Sequence, residues 1–436
     1  MLGVSLDAFA STITMKTSKA VGETISLAFN ADMQVALTWG DGSTEEFLSY
    51  GKLKDFTVKS ESLTITTDKD ITALYACEND LTELDVSGAA SLERLYCSSN
   101  ALTKLDLSKC INLTQLDCQD NQLVGITIGS LNMKYVNVAG NQLSSTGLKS
   151  NGVANIVSLV CAGNKMSTIS YLSSMTSLRT LICQDNQLPS LSISKCKTLR
   201  YLVASNNKLA ALNVPALIEL QKLYVDNNQL ETLDFSSNPV ISKISAEGNK
   251  LKELTWNQTS GSYPLMEYVN FANNSLFFNS FPTIYNYVSH KYTLAANLTP
   301  QNPYHLIDAV NINETYNYRD KFVTNGWGSG VNATITMTND KGEVLEANTD
   351  YTYRMGQFTF LKPYTGVVIN ATSRYYPDIM LAIEPFNIID PTGIADIEIE
   401  KSNTDAPVYD LQGRKVQTPQ SQKGIYIVNG KKFVIR

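Results

Sequence analysis

Histidine is almost missing from this chain. Its 436 residues hold two, His290 and His305, and neither stands in a His/Cys/Asp spacing that could hold zinc. No G-x-S-x-G, P-loop or G-x-G-x-x-G motif occurs, so no enzyme and no cofactor is expected. Charge is sparse: 17% of residues are charged, 35 basic against 41 acidic, for a net charge of −6. Nucleic acid is therefore not an expected partner, because phosphate binding needs a concentrated basic face. No run of 18 apolar residues is present, so no membrane-spanning segment is expected. The first residues lack the basic stretch and long apolar run of a full signal peptide. Ala8-Phe9-Ala10 before Ser11 matches the small-x-small cleavage pattern of a truncated signal, although Asp7 fits an apolar segment poorly.

What is there is one phrase written ten times between Ile71 and Leu276. Counting from its first apolar residue as position 0, the phrase has apolar residues at 0 and 3, a small apolar one at 5, Asn at 8 and an apolar one at 10. Starts fall at Ile71, Leu92, Leu113, Met133, Ile156, Leu178, Leu199, Leu220, Ile241 and Met266, mostly 21 residues apart and once 25. The Asn column runs Asn79, Asn100, Asn121, Asn141, Asn164, Asn186, Asn207, Asn228, Asn249, Asn274. Ten in-phase copies predict a solenoid of stacked coils.

Positions 3 and 5 alternate with polar neighbours, so a short strand should turn them inward. Ten such strands at ~4.8 Å give a parallel sheet about 45 Å long. The amide at position 8 offers a donor and an acceptor where strand pairing stops. It should satisfy buried backbone groups of its own and adjacent coils, each worth roughly 1–3 kcal/mol if orphaned. On this reasoning Asn274, in the last coil, should matter less than Asn186 in the middle of the array. Apolar pairs at positions 13 and 15, such as Leu84/Val86, Leu105/Leu107, Ile126/Ile128, Leu191/Ile193, Leu212/Val214 and Leu233/Phe235, read as extended return legs. About six residues then remain, too few for the usual ~11-residue helix, so the convex side should be extended or 3₁₀. The expected fold class is mainly β.

The seven cysteines form no CxxC pair. Cys97, Cys118, Cys161 and Cys183 fall at position 5, and Cys110 and Cys196 at position 18, where each serves as a small buried hydrophobe. Cys77, at position 6, is the one candidate reactive thiol.

The flanks read as β structure too. Residues 11–70 alternate polar and apolar, with a turn at Asp41-Gly42 after Trp39, and 1–70 are expected to form a β cap on the first coil. Residues 277–305, rich in aromatics and amides, are expected to cap the last one, and 306–390 to form a β-sandwich with a hairpin at Asn339-Asp-Lys-Gly342. Residues 391–436 read as a linker and a β tail, with a hairpin signal at Asn429-Gly430 and, from residue 411 on, six basic and no acidic residues.

The repeat block, with its L-x-x-L-x-C-x-x-N-x-L and L-D-L-S phrases, resembles the short leucine-rich repeats of Bacteroidetes surface proteins, which are similar in architecture to internalins. The segment around Asp350-Tyr-Thr-Tyr353 and Phe358-Thr-Phe360 looks like the Ig-like β-sandwich that follows such repeats. The tail, with Tyr409-Asp-Leu-Gln-Gly-Arg-Lys-Val416, Gly424-Ile-Tyr-Ile427 and the final Lys-Phe-Val-Ile-Arg, resembles a C-terminal sorting domain (the T9SS type) of proteins exported across the outer membrane. The resemblance implies recognition or adhesion at the cell surface or outside the cell.

Positions 2, 4, 6 and 7 should project from the concave sheet. There Val160, Ile182 and Val203 make an apolar strip beside Tyr201 and Tyr224, rimmed by Asp185, Asp226 and Glu247, with Tyr75 and Tyr96 nearer the first coil. Aromatic anchors within a charged rim are the usual anatomy of a protein interface. The same residues are also good strand formers, which explains them without a ligand. Three readings stay open: a monomeric recognition protein whose concave face binds a protein ligand (a host protein among the candidates), a spacer presenting the sandwich, and a glycan binder using the tyrosines.

Overall fold

Each repeat folds because one side of a single coil is apolar and can be buried only against the coil before and after it. The structure is a computed structural model that describes residues 10–150, 152–257, 265–281, 285–286, 291–292, 295–324, 331–374, 376–391, 408–410, 414–416, 424–428 and 431–435. The expected signal remnant at Ala8-Phe9, His290, most of the linker and the Asn429-Gly430 turn lie outside the described residues.

Positions 2 to 4 of every coil form a three-residue strand, from Ala73–Tyr75 to Tyr268–Asn270. These strands pair parallel and in register, so position 3 of one coil lies beside position 3 of the next. Leu74, Leu95, Leu116, Val136, Leu159, Leu181, Leu202, Leu223, Ile244 and Val269 are buried, as are all ten residues at position 5. The fold is a leucine-rich repeat solenoid, mainly β. Its convex side is extended at Lys104–Leu107, Gly125–Ile128 and Leu148–Ser150, and again at Thr232–Asp234 and Glu253–Thr255. Between these, Leu172–Ser174 is a 3₁₀ turn.

The asparagine column forms a hydrogen-bonded ladder. In coil after coil the side-chain oxygen at position 8 accepts the position-10 N–H of the preceding coil, as Asn121 does from Leu102 at 3.0 Å and Asn186 from Met166 at 3.0 Å. Its NH2 donates to the position-5 carbonyl of the preceding coil and to carbonyls of its own, as Asn186 does to Cys161, Cys183 and Gln184. The bonds therefore point backwards, towards the N-terminus. Asn274 makes the same set, to Leu251, Ala246, Phe271 and Ala272, and is fully buried. The reason for expecting a weaker rung, a missing neighbour, does not apply, because the coil that Asn274 serves is the preceding one.

Both ends of the array are closed. Thr24–Phe29 pairs antiparallel with Ala73–Tyr75 at the edge of the concave sheet, and Ser11–Thr17 pairs antiparallel with Leu81–Gly88, the return leg of the first coil. Asn79 exchanges two hydrogen bonds with the main chain of Ser26, at 2.7 and 2.8 Å. The Asp41-Gly42 turn joins Ala31–Trp39 to Thr44–Tyr50, with Gly42 at φ +85° and the Asp41 carboxylate accepting from the Ser43 N–H and hydroxyl. At the far end Trp256 stacks on Phe235 at 4.8 Å, meets Phe271 edge-on and donates its indole N–H to the Ser280 carbonyl.

The chain divides into two compact units, residues 1–302 with 374–380, and 303–373 with 381–436. In the second unit Phe386–Ile389 pairs parallel with Ala309–Asn311 and antiparallel with Tyr364–Ser373, which in turn pairs with Thr334–Thr338. A second sheet holds Thr315–Asn317, Gln357–Phe360 and Tyr351–Arg354. The rings of Phe360 and Phe386, one from each sheet, meet at 5.7 Å. In the tail, Val408–Asp410 pairs with Lys415–Val416 and with Gly424–Val428, and the latter pairs with Lys431–Ile435.

Candidate binding face

Parallel register turns a column of the repeat into a row on the sheet. At position 4 that row reads Tyr75, Tyr96, Asp117, Asn137, Val160, Ile182, Val203, Tyr224, Ser245, Asn270, each side by side with the next. Val160, Ile182, Val203 and Tyr224 are thus four consecutive rungs, and all four are half-buried. Tyr201, in the position-2 row beside them, is more open, and Lys222 lies over its ring at 5.0 Å. Beyond Tyr224 the row becomes polar and buried, at Ser245 and Asn270.

Tyr75 and Tyr96 stack on each other with centroids 4.5 Å apart and planes 8° from parallel. The Tyr96 hydroxyl donates to Gln115 Oε1 at 2.7 Å, and burial, then the neighbouring Tyr75, push its pKa up. This pair is separated from the apolar strip by Asp117 and Asn137, so the ten candidate residues form two groups rather than one. An open depression of about 250 Å³ lies between them, with Tyr96, Asp117, Tyr135, Asn137, Ser158 and Val160 on its walls. Tyr135 could be found from its place in the position-2 row. The depression could not, because it depends on side chains of four different coils.

The acidic rim is not a set of free carboxylates. Asp226 Oδ1 accepts from the Ser245 hydroxyl and from the Glu247 N–H at 2.9 Å, and its Oδ2 from Ser205 at 3.1 Å. Glu247 is held in turn by the amides of Asn270 and Asn273, at 2.8 and 2.9 Å. Asp185 Oδ1 accepts from the Asn206 amide at 2.7 Å, and Asn206 Oδ1 from Asn227 at 2.8 Å. The carboxylates tie coil to coil and fix the edge of the face, with open lone pairs still turned to solvent at the exposed Asp185.

Sequence reasoning missed a second column. Position 7 has positive φ in all ten coils: Glu78, Ser99, Asp120, Gly140, Gly163, Asp185, Asn206, Asn227, Gly248 and Asn273 lie between +53° and +65°. The left-handed region costs most L-residues roughly 1–2 kcal/mol and is visited most readily by Gly, Asn and Asp. Eight of these ten are Gly, Asn or Asp, a bias visible in the sequence once the column is aligned. The position-7 N–H of each of the first nine coils donates to the position-6 carbonyl of the next, as Asp185 does to Ser205 at 3.1 Å, and Asn273 in the last coil donates to Pro300. Backbone geometry alone is therefore a sufficient reason for an aspartate at 185.

Among the described residues no group of three or more His, Cys, Asp or Glu is arranged to hold a metal ion, and no helix is long and apolar enough to cross a membrane. The position-5 cysteines are buried, and burial pushes the Cys161 thiol up to about 12 and raises Cys97, Cys118 and Cys183 as well. Cys77 is half-buried.

No protein-family model matches the sequence, and neither does any curated protein. Solved structures do. The functional domain of InlJ from Listeria monocytogenes, which includes a cysteine ladder, is 17% identical over 72% of this chain and 90% of its own, with a TM-score of 0.34. A leucine-rich repeat protein of Leptospira interrogans is 20% identical over 54% of this chain and 76% of its own, at 0.38. YopM, a leucine-rich effector protein of Yersinia pestis, is 23% identical over 50% and 58%, at 0.41. These are likenesses of fold.

Proposed function

We propose that this chain is a non-enzymatic recognition protein, acting outside the cell or at the outer-membrane surface, whose concave sheet binds a protein ligand. The observation that supports the reading is the unbroken row Val160–Ile182–Val203–Tyr224, whose side chains are only half-buried among the described residues. Each side chain there is wet on one side, so a ligand that dried the row would gain about 25 cal/mol per Å² of apolar surface. Tyr201 and Tyr224 add broad, rigid contact area at low entropic cost, the property that enriches tyrosine at binding hot spots. The carboxylates beside the row are already held in place by Ser205, Ser245 and the asparagine amides, so the rim is preorganised.

Selection of a displayed protein library on the full-length chain tests this. Binders should compete with one another for the concave face and lose about 2 kcal/mol or more per anchor when Ile182→Ser and Tyr224→Ser are introduced. Binders that keep their affinity for the double variant would move the function to the second unit.

A further inference from the structure

Opposite in character to the concave strip is a groove along the N-terminal ends of the same strands. It has a volume of about 700 Å³ and is lined by the coils that begin at Leu113, Met133, Ile156 and Leu178. Its floor is the position-1 row, where Lys134, Val157 and Arg179 follow one another on successive coils, joined by main-chain bonds from each N–H to the carbonyl before it at 2.8–2.9 Å. Lys134 and Arg179 are therefore two rungs apart, about 10 Å at the ~4.8 Å ladder spacing. Both are exposed, and neither makes an ion pair among the described residues. Arg200, one rung further on, is different: its guanidinium is engaged by Glu219 at 3.0 Å.

The walls are hydroxyls and amides, and among the described residues no carboxylate lines the groove. Several of these groups already spend their donors inwards. The Thr114 hydroxyl donates to the Glu93 carbonyl, Thr198 to Leu178, and the Asn155 amide to Leu131. What they present outwards is therefore mainly acceptor: hydroxyl lone pairs and an amide oxygen. Two unpaired cations set in a row of acceptors call for a ligand that carries both anionic groups and many O–H donors. Among the described residues Val157 is the one apolar side chain of the lining and no aromatic is present, so the groove lacks the anchors on which a peptide would depend. Single-stranded nucleic acid is disfavoured too, because none of the described lining side chains offers a ring on which bases could stack.

We propose that this groove binds an acidic oligosaccharide, whose sulfate or carboxylate groups sit on Lys134 and Arg179 while its hydroxyls donate to the outward acceptors. The four coils span about 14 Å at the same ladder spacing, room for several linked sugars rather than one. The site stands on its own residues and does not depend on the concave strip.

Calorimetric titration of the full-length chain with heparin oligosaccharides, oligogalacturonate, neutral dextran oligosaccharides and poly-glutamate tests it. At least one acidic sugar binds, more weakly as salt is raised, and neutral dextran does not; which acidic sugar binds identifies sulfate or carboxylate as the group read. The exposed substitutions Lys134→Gln and Arg179→Gln together weaken that binding by about tenfold or more at an unchanged melting temperature. Lys149→Gln, on the convex strand Leu148–Ser150, leaves it as it was. The proposal fails if neither acidic sugar binds, if the double variant binds as tightly as the original chain, or if poly-glutamate binds equally well and loses as much.

Discussion

The side-chain oxygen of Gln301 accepts the Leu276 N–H at 3.0 Å, where an asparagine of a following coil would stand. Its NH2 donates to the carbonyls of Phe271 and Leu298, at 2.9 and 2.6 Å. A glutamine from outside the repeat thus supplies the rung that the last coil needs, and Ala295–Asn297 adds one more parallel strand beside Tyr268–Asn270. The ladder ends in a cap that copies its own chemistry.

Gln301→Ala should therefore destabilise the array by roughly 1–3 kcal/mol, because the Leu276 N–H loses its buried partner and the Phe271 carbonyl keeps only Asn274. Asn186→Ala and Asn274→Ala should cost about the same as each other, since each orphans the same groups. Urea melts of the three variants measure this. A Gln301 variant as stable as the parent chain would show that the cap makes no real rung.

Thiol labelling should separate Cys77 from the rest. Cys77 is half-buried and should react in the native chain, whereas Cys97, Cys118, Cys161 and Cys183 should react only on unfolding. Fast native labelling of Cys118 would break the register assigned to the coils.

The same thiols make stability depend on alkaline pH. Burial raises Cys110 and Cys196 to about 11 and Cys161 to about 12, against an unfolded value near 9. These groups are protonated in the folded chain where the unfolded chain would ionise. Their contribution is intact below the unfolded pKa and is lost as pH rises through the folded one. Each can remove up to about 1.4 kcal/mol per pH unit in that window. Melts at pH 8 and pH 10.5 should differ accordingly, and the difference should shrink in a variant carrying Cys118→Ala and Cys161→Ala. Alanine already fills this position at Ala76, Ala204 and Ala246, so the substitution has precedent in the same fold. An unchanged pH dependence would exclude the thiols as its cause.

At Asn206, φ is +56°. Asn206→Ala should cost roughly 1–2 kcal/mol from the left-handed backbone, besides the bonds to Asp185 and Asn227. Asn206→Gly loses the same bonds without the steric cost and should be the milder change in a thermal melt. Equal losses would mean that the side-chain bonds, not the backbone, select the residue here.

By itself the sequence determined the coil. The period fixed which residues face inward, the Asn column fixed where strand pairing stops, and the position-13 and position-15 pairs fixed an extended return leg. These follow from local alternation and from the lack of room for a helix, which need no knowledge of distant residues. What only the tertiary structure decided depends on distances between coils. Asp226 and Glu247 look like free rim charges in the chain, but the next coils bring Ser245, Asn270 and Asn273 within hydrogen-bond reach of them. Gln301 becomes a rung because the chain after the last coil lays one more strand on the sheet, which no repeat pattern announces. Lys134 and Arg179 become neighbours because stacking puts residues 45 apart in sequence two rungs apart in space. Stacking converts sequence columns into surface rows, and it is the rows that a ligand meets.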